Sequence, residues 1–452
     1  MATRSKAFDM TKGPELRVIM MFALPLYLSN ILHQVYSLTD ISIIGNTLGD
    51  NALTAIGSVS TIVDVVNFLM IGMGNGISVA VAKYYGEHDP AKLRKSVYNT
   101  ILISVAWWIV VTFAGVLALK PLMYLLSVPV SVFETAHSYA IIMVSLAGFV
   151  FFYNALSGIL RGIGNSVIPL VFLIVSVTLN ICLDILFVPV LGFGLPGAAV
   201  ATVIAQACSS FACLIYIIRK VPELHLTKQD MKADAGMISE IFSAGLSFAL
   251  MFSVVSVGTV ILQKAINGLG DDIIAAHTTA RKISSLCMMT ISTLGSAIAT
   301  FAGQNHGAGR YDRIRKGMRH TLMLSFAIAA VLVLFIYTLG EFMVKTISGS
   351  SNDIIISSAV YYLRFDLPFY FVLAILLIAR SALQGVGAKI TPVIASVMEL
   401  LLKAFTAGYL VKRFAYFGVA LCEPVIWCVC AIFILIVLVT NRNIRGNKSS
   451  VS

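Results

Sequence analysis

The chain has 452 residues, 58% of them hydrophobic and 12% charged, with a formal net charge of +11. Soluble domains carry about 25% charged residues, so a soluble fold would lack the polar surface to cover itself. The apolar runs are continuous rather than alternating, which excludes an outer-membrane barrel. The basic excess lies in short loops, the positive-inside signature, and this excludes nucleic acid as a partner.

Twelve apolar segments follow in chain order, at 18–44, 52–82, 97–119, 132–160, 166–191, 197–218, 237–266, 272–303, 320–346, 356–383, 390–411 and 417–440. Each is long enough to cross a bilayer as a helix, and several need tilt or run past the membrane. The fold class is an all-α polytopic membrane protein. The first run is too long for a signal-peptide core and lacks a cleavage site of small residues, so it is expected to remain. With the N-terminus inside, the inner segments hold 22 of the 32 basic residues, and the outer loops hold five, Lys120, Lys264, Lys345, Lys412 and Arg413. Arg4, Lys6, Arg442, Arg445 and Lys448 are among the 22. Both termini and the loops 83–95, 219–235 and 305–319 are therefore expected on the cytoplasmic face of the cell membrane. The cysteines, at 182, 208, 213, 287, 422, 428 and 430, all fall in apolar segments, so neither a disulfide framework nor a zinc site is indicated.

The chain repeats itself. "LGD" at 48–50 returns at 269–271, and "YGEHDPAKLRK" (85–95) aligns with "HGAGRYDRIRK" (306–316), both at an offset of 221. "LRGIGNSVIP" (160–169) aligns with "LQGVGAKITP" (383–392) at an offset of 223. Spans 1–6 and 7–12 are thus two copies of one six-helix unit. The working division is an N-lobe at 1–220, a linker at 221–236 and a C-lobe at 237–452. An even number of spans per copy relates the lobes by a pseudo-twofold axis along the membrane normal, an arrangement common in secondary transporters. The short loops leave no domain for an enzyme or receptor, and no enzymatic activity or cofactor is expected.

Polar side chains form stripes on three spans. Span 1 carries Ser29, His33, Tyr36 or Ser37, and Asp40, and span 5 carries Ser176, Asn180 and Asp184. Span 6 carries Ala198, Thr202 and Gln206. These spacings of three, four and eight place each set on one helix face. A lone acid inside a bilayer costs several kcal/mol. Facing stripes lower that cost and gather two carboxylates, an amide and a hydroxyl, a donor set suited to Na+ or a shared proton. The plainer alternatives are that Asp40 reaches interfacial water and that Asp184 satisfies a neighbouring helix.

In this order and spacing, several stretches resemble the multidrug and toxic compound extrusion family. They are "FALPLYLSNILHQVYSLTDISIIG", "LRGIGNSVIP" with "LNICLDILFVP" and "GLPGAAVATVIAQ", "AHTTARKISSL" with "FAGQNHGAGRYDRIRKG", and "ALQGVGAKITPVIASVMELLLK" with "CEPVIW". The resemblance covers residues 14 to 440. It implies an antiporter of two six-helix lobes that expels bulky, often cationic organic compounds in exchange for Na+ or H+. The cation site it implies falls on Asp40, Asn180, Asp184, Ala198 and Thr202, with Tyr36 and Gln206 beside it. If Na+ is the ion, its ligands are Asp40, Asn180, Asp184 and Thr202. One branch of the family has acids in spans 7 and 10 facing its C-lobe. Span 7 here has none, and Asp366 sits earlier in span 10 than that branch places it, which argues against such a second site.

Other polar residues within spans are candidates for the substrate path: Asp64 with Asn67, His277, Arg281 with Lys282, Asp366, Glu399 and Lys403. The plain reading of Glu399 and Lys403 is an i,i+4 ion pair, and Asp366 is a candidate partner for Arg281. Pro25 marks a helix bend in span 1. Membrane lipid and small organic substrates are the expected partners, and the chain is expected to be a monomer. The runner-up readings are a flippase for lipid-linked precursors, which needs a basic cleft, and a narrow-substrate metabolite exporter. An intramembrane transferase would have to use Asp271 and Asp272, the only adjacent acids.

Overall fold

The computed structural model describes residues 8–441, and every regular element among them is helical. Arg4, Lys6, Arg442, Arg445 and Lys448 lie outside the described residues. In chain order the helices are α1 (Glu15–Leu48), α2 (Asp50–Gly86), α3 (Pro90–Leu125), α4 (Phe133–Ser145), α5 (Ala147–Gly162), α6 (Val167–Ile185) and α7 (Gly194–Lys220). They continue as α8 (Ala235–Ile266), α9 (Asp271–Gly307), α10 (Tyr311–Ser348), α11 (Asp353–Asp366), α12 (Tyr370–Gly385) and α13 (Ile390–Thr440).

α13 is 51 residues long, too long for one crossing at about 1.5 Å per residue. It is two spans folded over at Ala415, whose φ of 50° and ψ of −129° interrupt the helix. Among the described residues, eleven continuous apolar stretches therefore carry twelve crossings. Spans 4 and 10 are continuous in the sequence reading, but each is broken: α4 and α5 meet at Leu146, and α11 and α12 are joined by a 3₁₀ turn at Leu367–Phe369. Pro368 accounts for the second break, since its ring removes a donor and crowds the preceding turn. At the first, Gly148 lies against Trp108, where a Cβ would fall 2.0 Å from Nε1.

The backbone repeats as the sequence does. α5 and α12 are both 16 residues long, and α2 and α9 both 37. Residues with positive φ recur in pairs: Gly49 with Gly270, His88 with Gly309, Ser127 with Gly349, Gly164 with Gly387, and Gly194 with Ala415. A non-glycine residue there costs about 1–2 kcal/mol. That His88, Ser127 and Ala415 bear this cost means the turn itself is required by the architecture.

Contacts divide the chain into two units, each taken over its described residues. Unit 1 is Met1–Asp9 with Leu24–Leu250, and unit 2 is Met10–Ala23 with Met251–Ser452. In unit 1, one apolar core runs through α2, α3, α5 and α7 around Met70, Met73, Ile77 and Phe151. A second gathers Ile44, Val59, Leu119, Met123 and Ala198. Unit 2 has one continuous core on α9 to α13, including Ile283, Tyr362, Tyr370 and Ile426.

Candidate functional site

Three helices of unit 1 bring the striped faces together. α1 presents Tyr36 and Asp40, α6 presents Asn180 and Asp184, and α7 presents Ala198, Thr202 and Gln206. α6 closes immediately past Asp184 in a wide turn at Leu186–Val190 that contains Pro189. Tyr36 Oη lies 3.0 Å from Thr202 Oγ1, and Asn180 Nδ2 donates to the same oxygen at 3.4 Å. Thr202 is therefore the point where all three helices meet. Asp184, Asn180 and Ala198 are buried at 0%, 2% and 1% exposure.

Among the described residues, five buried oxygens here find no hydrogen-bond partner: Asp40 Oδ1, Asn180 Oδ1, both carboxylate oxygens of Asp184, and Gln206 Oε1. All are acceptors. A buried acceptor left unmade costs about 1–3 kcal/mol, and more when charged. Such a group is stable only around positive charge, either a cation or a proton. The donor set is all oxygen, and among the described residues no three His, Cys, Asp or Glu side chains converge as a transition-metal group would require. A pocket of about 200 Å³ empty volume opens beside the group, with His33, Tyr36, Ser176, Asn180, Thr202 and Gln206 among its lining residues. It reaches the amide and hydroxyl side of the group, while Asp40, Asp184 and Ala198 do not line it.

The remaining candidates divide between the units. In unit 1, Asp64 is exposed and Asn67 half-buried, and Asp64 has no ion-pair partner among the described residues. In unit 2, His277 is 2% exposed and is flanked edge-on by the rings of Tyr362 and Tyr416 at 4.9 and 6.1 Å. Asp366 is 1% exposed and accepts from Ser284 Oγ at 3.3 Å. Two pairings differ from the sequence reading. Glu399 and Lys403 do not pair with each other, because each reaches another helix: Glu399 takes Arg380 at 2.7 Å and Lys403 takes Glu423 at 2.9 Å. Arg281 pairs with Glu423 at 3.5 Å rather than with Asp366. Glu423 itself escaped the sequence reading. Its signal was present as an acid followed by a proline inside the last apolar span.

With this geometry established, comparison with known proteins places the chain. The profile of the family described as MatE matches residues 25–186 and again 247–408, once in each repeat. Over 391 residues the chain is 26% identical to the "Probable multidrug resistance protein YoeA" of Bacillus subtilis, covering 85% of this chain and 84% of that one. Among solved structures, a MOP superfamily transporter from Pyrococcus furiosus superimposes with a TM-score of 0.90 at 21% identity, covering 99% of this chain and 100% of that one. A MATE structure in complex with MaL6 gives a TM-score of 0.87 at 22% identity over 96% and 99% of the two chains. At these identities the structural likeness speaks to the fold, that of a two-lobe, twelve-span transporter.

Proposed function

This chain belongs to the MatE family of multidrug and toxic compound extrusion transporters, and we propose that it exports small, often cationic organic compounds in exchange for Na+ or H+. The observation that carries this reading is the group of five buried acceptors on α1, α6 and α7. Asp40 and Asp184 supply charge, Asn180 and Gln206 supply amide oxygens, and Thr202 ties the helices together. Loading with a cation or proton relieves the repulsion between the two acids. Release leaves two acids facing each other, so the empty and loaded sites favour different packings of α1 against α6 and α7. A difference of that kind is what lets an ion gradient drive export.

The flippase reading needs free basic groups for a pyrophosphate. Three of the in-span basic residues of unit 2 are committed to acids: Arg380 to Glu399, and Lys403 and Arg281 to Glu423. This favours the exporter. We place the transporter in the plasma membrane as a monomer among lipid, with both termini cytoplasmic. The test is substrate transport in proteoliposomes with a Na+ gradient and a pH gradient imposed separately. Uphill movement under one and not the other identifies the ion, and movement under neither defeats the antiport reading.

A further inference from the structure

The repeat assigns each residue of the unit 1 site a numbered counterpart in unit 2. α6 and α13 each begin two residues before a proline, Pro169 and Pro392, which fixes their register. That register carries Ser176 to Glu399, Asn180 to Lys403 and Asp184 to Ala407. The start of α7 aligns with the second half of α13 through the positive-φ residues Gly194 and Ala415 and through Gly197 and Gly418. Thr202 then falls on Glu423. Gly49 and Gly270 fix the register of α1 and α8, on which Asp40 falls on Ile261.

Two features follow. The acids that need an outside charge in unit 1 are replaced by Ile261 and Ala407. The neutral bond from Asn180 to Thr202, at 3.4 Å, is replaced by an ion pair from Lys403 to Glu423, at 2.9 Å. The two paired side chains are 8% and 7% exposed. The ammonium thus stands in unit 2 at the repeat position of a side chain that borders the ion site in unit 1. Beside this pair lie Arg281, which reaches Glu423 at 3.5 Å, and Asp366, which accepts from Ser284 Oγ at 3.3 Å. Without Lys403, the buried Glu423 carboxylate would keep only its longer contact to Arg281.

We propose that unit 2 contains a second, latent site for a small monovalent cation, which the Lys403 ammonium permanently occupies as a tethered ion. Coupling is thereby confined to unit 1. Removing the Lys403 side chain opens a space the size of a short alkylammonium beside Glu423. Arg281, 34% exposed, marks the side from which such an ion can enter. The inference rests on the reading that the unit 1 acids take the driving ion, and the experiment separates the two.

Thermal midpoints of the purified, detergent-solubilised full chain are measured against ethylammonium, Na+ and, as an oversized control, tetraethylammonium. In the Asp40→Asn/Asp184→Asn chain the midpoint should not respond to any of them. Adding Lys403→Ala should produce a saturable rise with ethylammonium, and not with tetraethylammonium, which a further Glu423→Gln abolishes. If Lys403→Ala does not fold, Lys403→Asn, the side chain of the unit 1 position, is measured in the same way. Recovery of folded protein only in ethylammonium also supports the proposal. No shift and no recovery with either substitution overturns it. A response to Na+ that persists in Asp40→Asn/Asp184→Asn with Lys403 intact would instead refute the unit 1 reading.

Discussion

At one repeat position unit 1 joins two helices through Asn180 and Thr202, next to a pair of acids without donors. At the matching position unit 2 joins them through Lys403 and Glu423. The scaffolds around these pairs are alike in helix length, in the breaks of spans 4 and 10, and in five pairs of positive-φ residues. Backbone geometry has been kept where chemistry has not. A duplicated fold can therefore leave its turns and breaks fixed while a few side-chain changes give one copy unpaired buried acceptors and the other an ion pair.

The largest break in that comparison comes from removing charge on the unit 1 side. Asp184→Asn or Asp40→Asn takes away one of the two carboxylates proposed to hold the driving ion. Losing one partner of a buried charge contact costs about 3–5 kcal/mol, and each 1.4 kcal/mol is tenfold in affinity. Ion-driven uphill transport in proteoliposomes should fall by about 100-fold or more. Insertion should survive, because an amide is easier to bury than a carboxylate. Thr202→Ala should do less, since it leaves both charges. Near-parental uphill transport by the double Asp→Asn chain would move the site elsewhere.

The unit 2 side should fail differently. Glu423→Leu strands the buried Lys403 ammonium and should cost about 3–5 kcal/mol of stability. Glu423→Leu with Lys403→Met removes the pair as a pair and should recover most of that loss, because two apolar side chains of similar size replace two buried charges. The readout is the thermal midpoint. If the double chain is as unstable as the single one, Lys403 and Glu423 are not a self-contained pair.

A third contrast lies in helix packing. Gly76 of α2 faces Gly245 of α8, where a Cβ would fall 2.2 Å from the Gly245 Cα, and its repeat counterpart in α9 is Ala297. Gly76→Ala should destabilise by about 1–3 kcal/mol, because the obstacle is backbone and cannot swing aside. Ala297→Gly should cost only about 0.5–1 kcal/mol, the ordinary helix penalty. Equal effects in thermal melts would mean that α2 and α8 do not approach this closely.

Most of the fold was legible because its signals are local. Apolar length gives the spans, and the recurrence of "LGD" and of the "LRGIGN" and "LQGVGA" stretches gives the duplication. The unit 1 site was legible because polar residues on an apolar helix stand out at helical spacing. The Arg380–Glu399 and Lys403–Glu423 pairs were not, because they join residues on different spans. Helical spacing offered Glu399 and Lys403 as partners instead, and only the crossing of α12 with α13, and of the two halves of α13, decides otherwise. Glu423 was hidden for the same reason: nothing along its own span shows what it faces. The break at Leu146 was hidden because nothing along span 4 shows the close contact that its Gly148 makes with the Trp108 ring of another helix.

The smallest effect concerns the segment between α7 and α8, which unit 1 holds with charges at a helix end rather than inside a span. Asp230 Oδ2 accepts from the Thr227 hydroxyl at 2.6 Å, the Thr227 amide at 2.8 Å and Arg94 Nε at 2.8 Å. The Thr227 hydroxyl above all, and then the Arg94 guanidinium, hold the Asp230 carboxyl below the usual carboxylate range. A depressed carboxylate stabilises the fold above its unfolded pKa of about 3.9, and that contribution disappears as pH falls through the lower folded value. Asp230→Asn should therefore lower the thermal midpoint at pH 7 by only about 2 °C, because Arg94 is partly exposed and the amide oxygen can still accept from Thr227. The gap between variant and parent should narrow below about pH 4, as the unfolded chain's carboxylate and then the folded chain's take up a proton. It should also shrink in high salt, whereas the loss caused by Asp184→Asn should not. A gap that widens on acidification would show that Asp230 is protonated in the folded chain and that Arg94 contributes nothing to holding it.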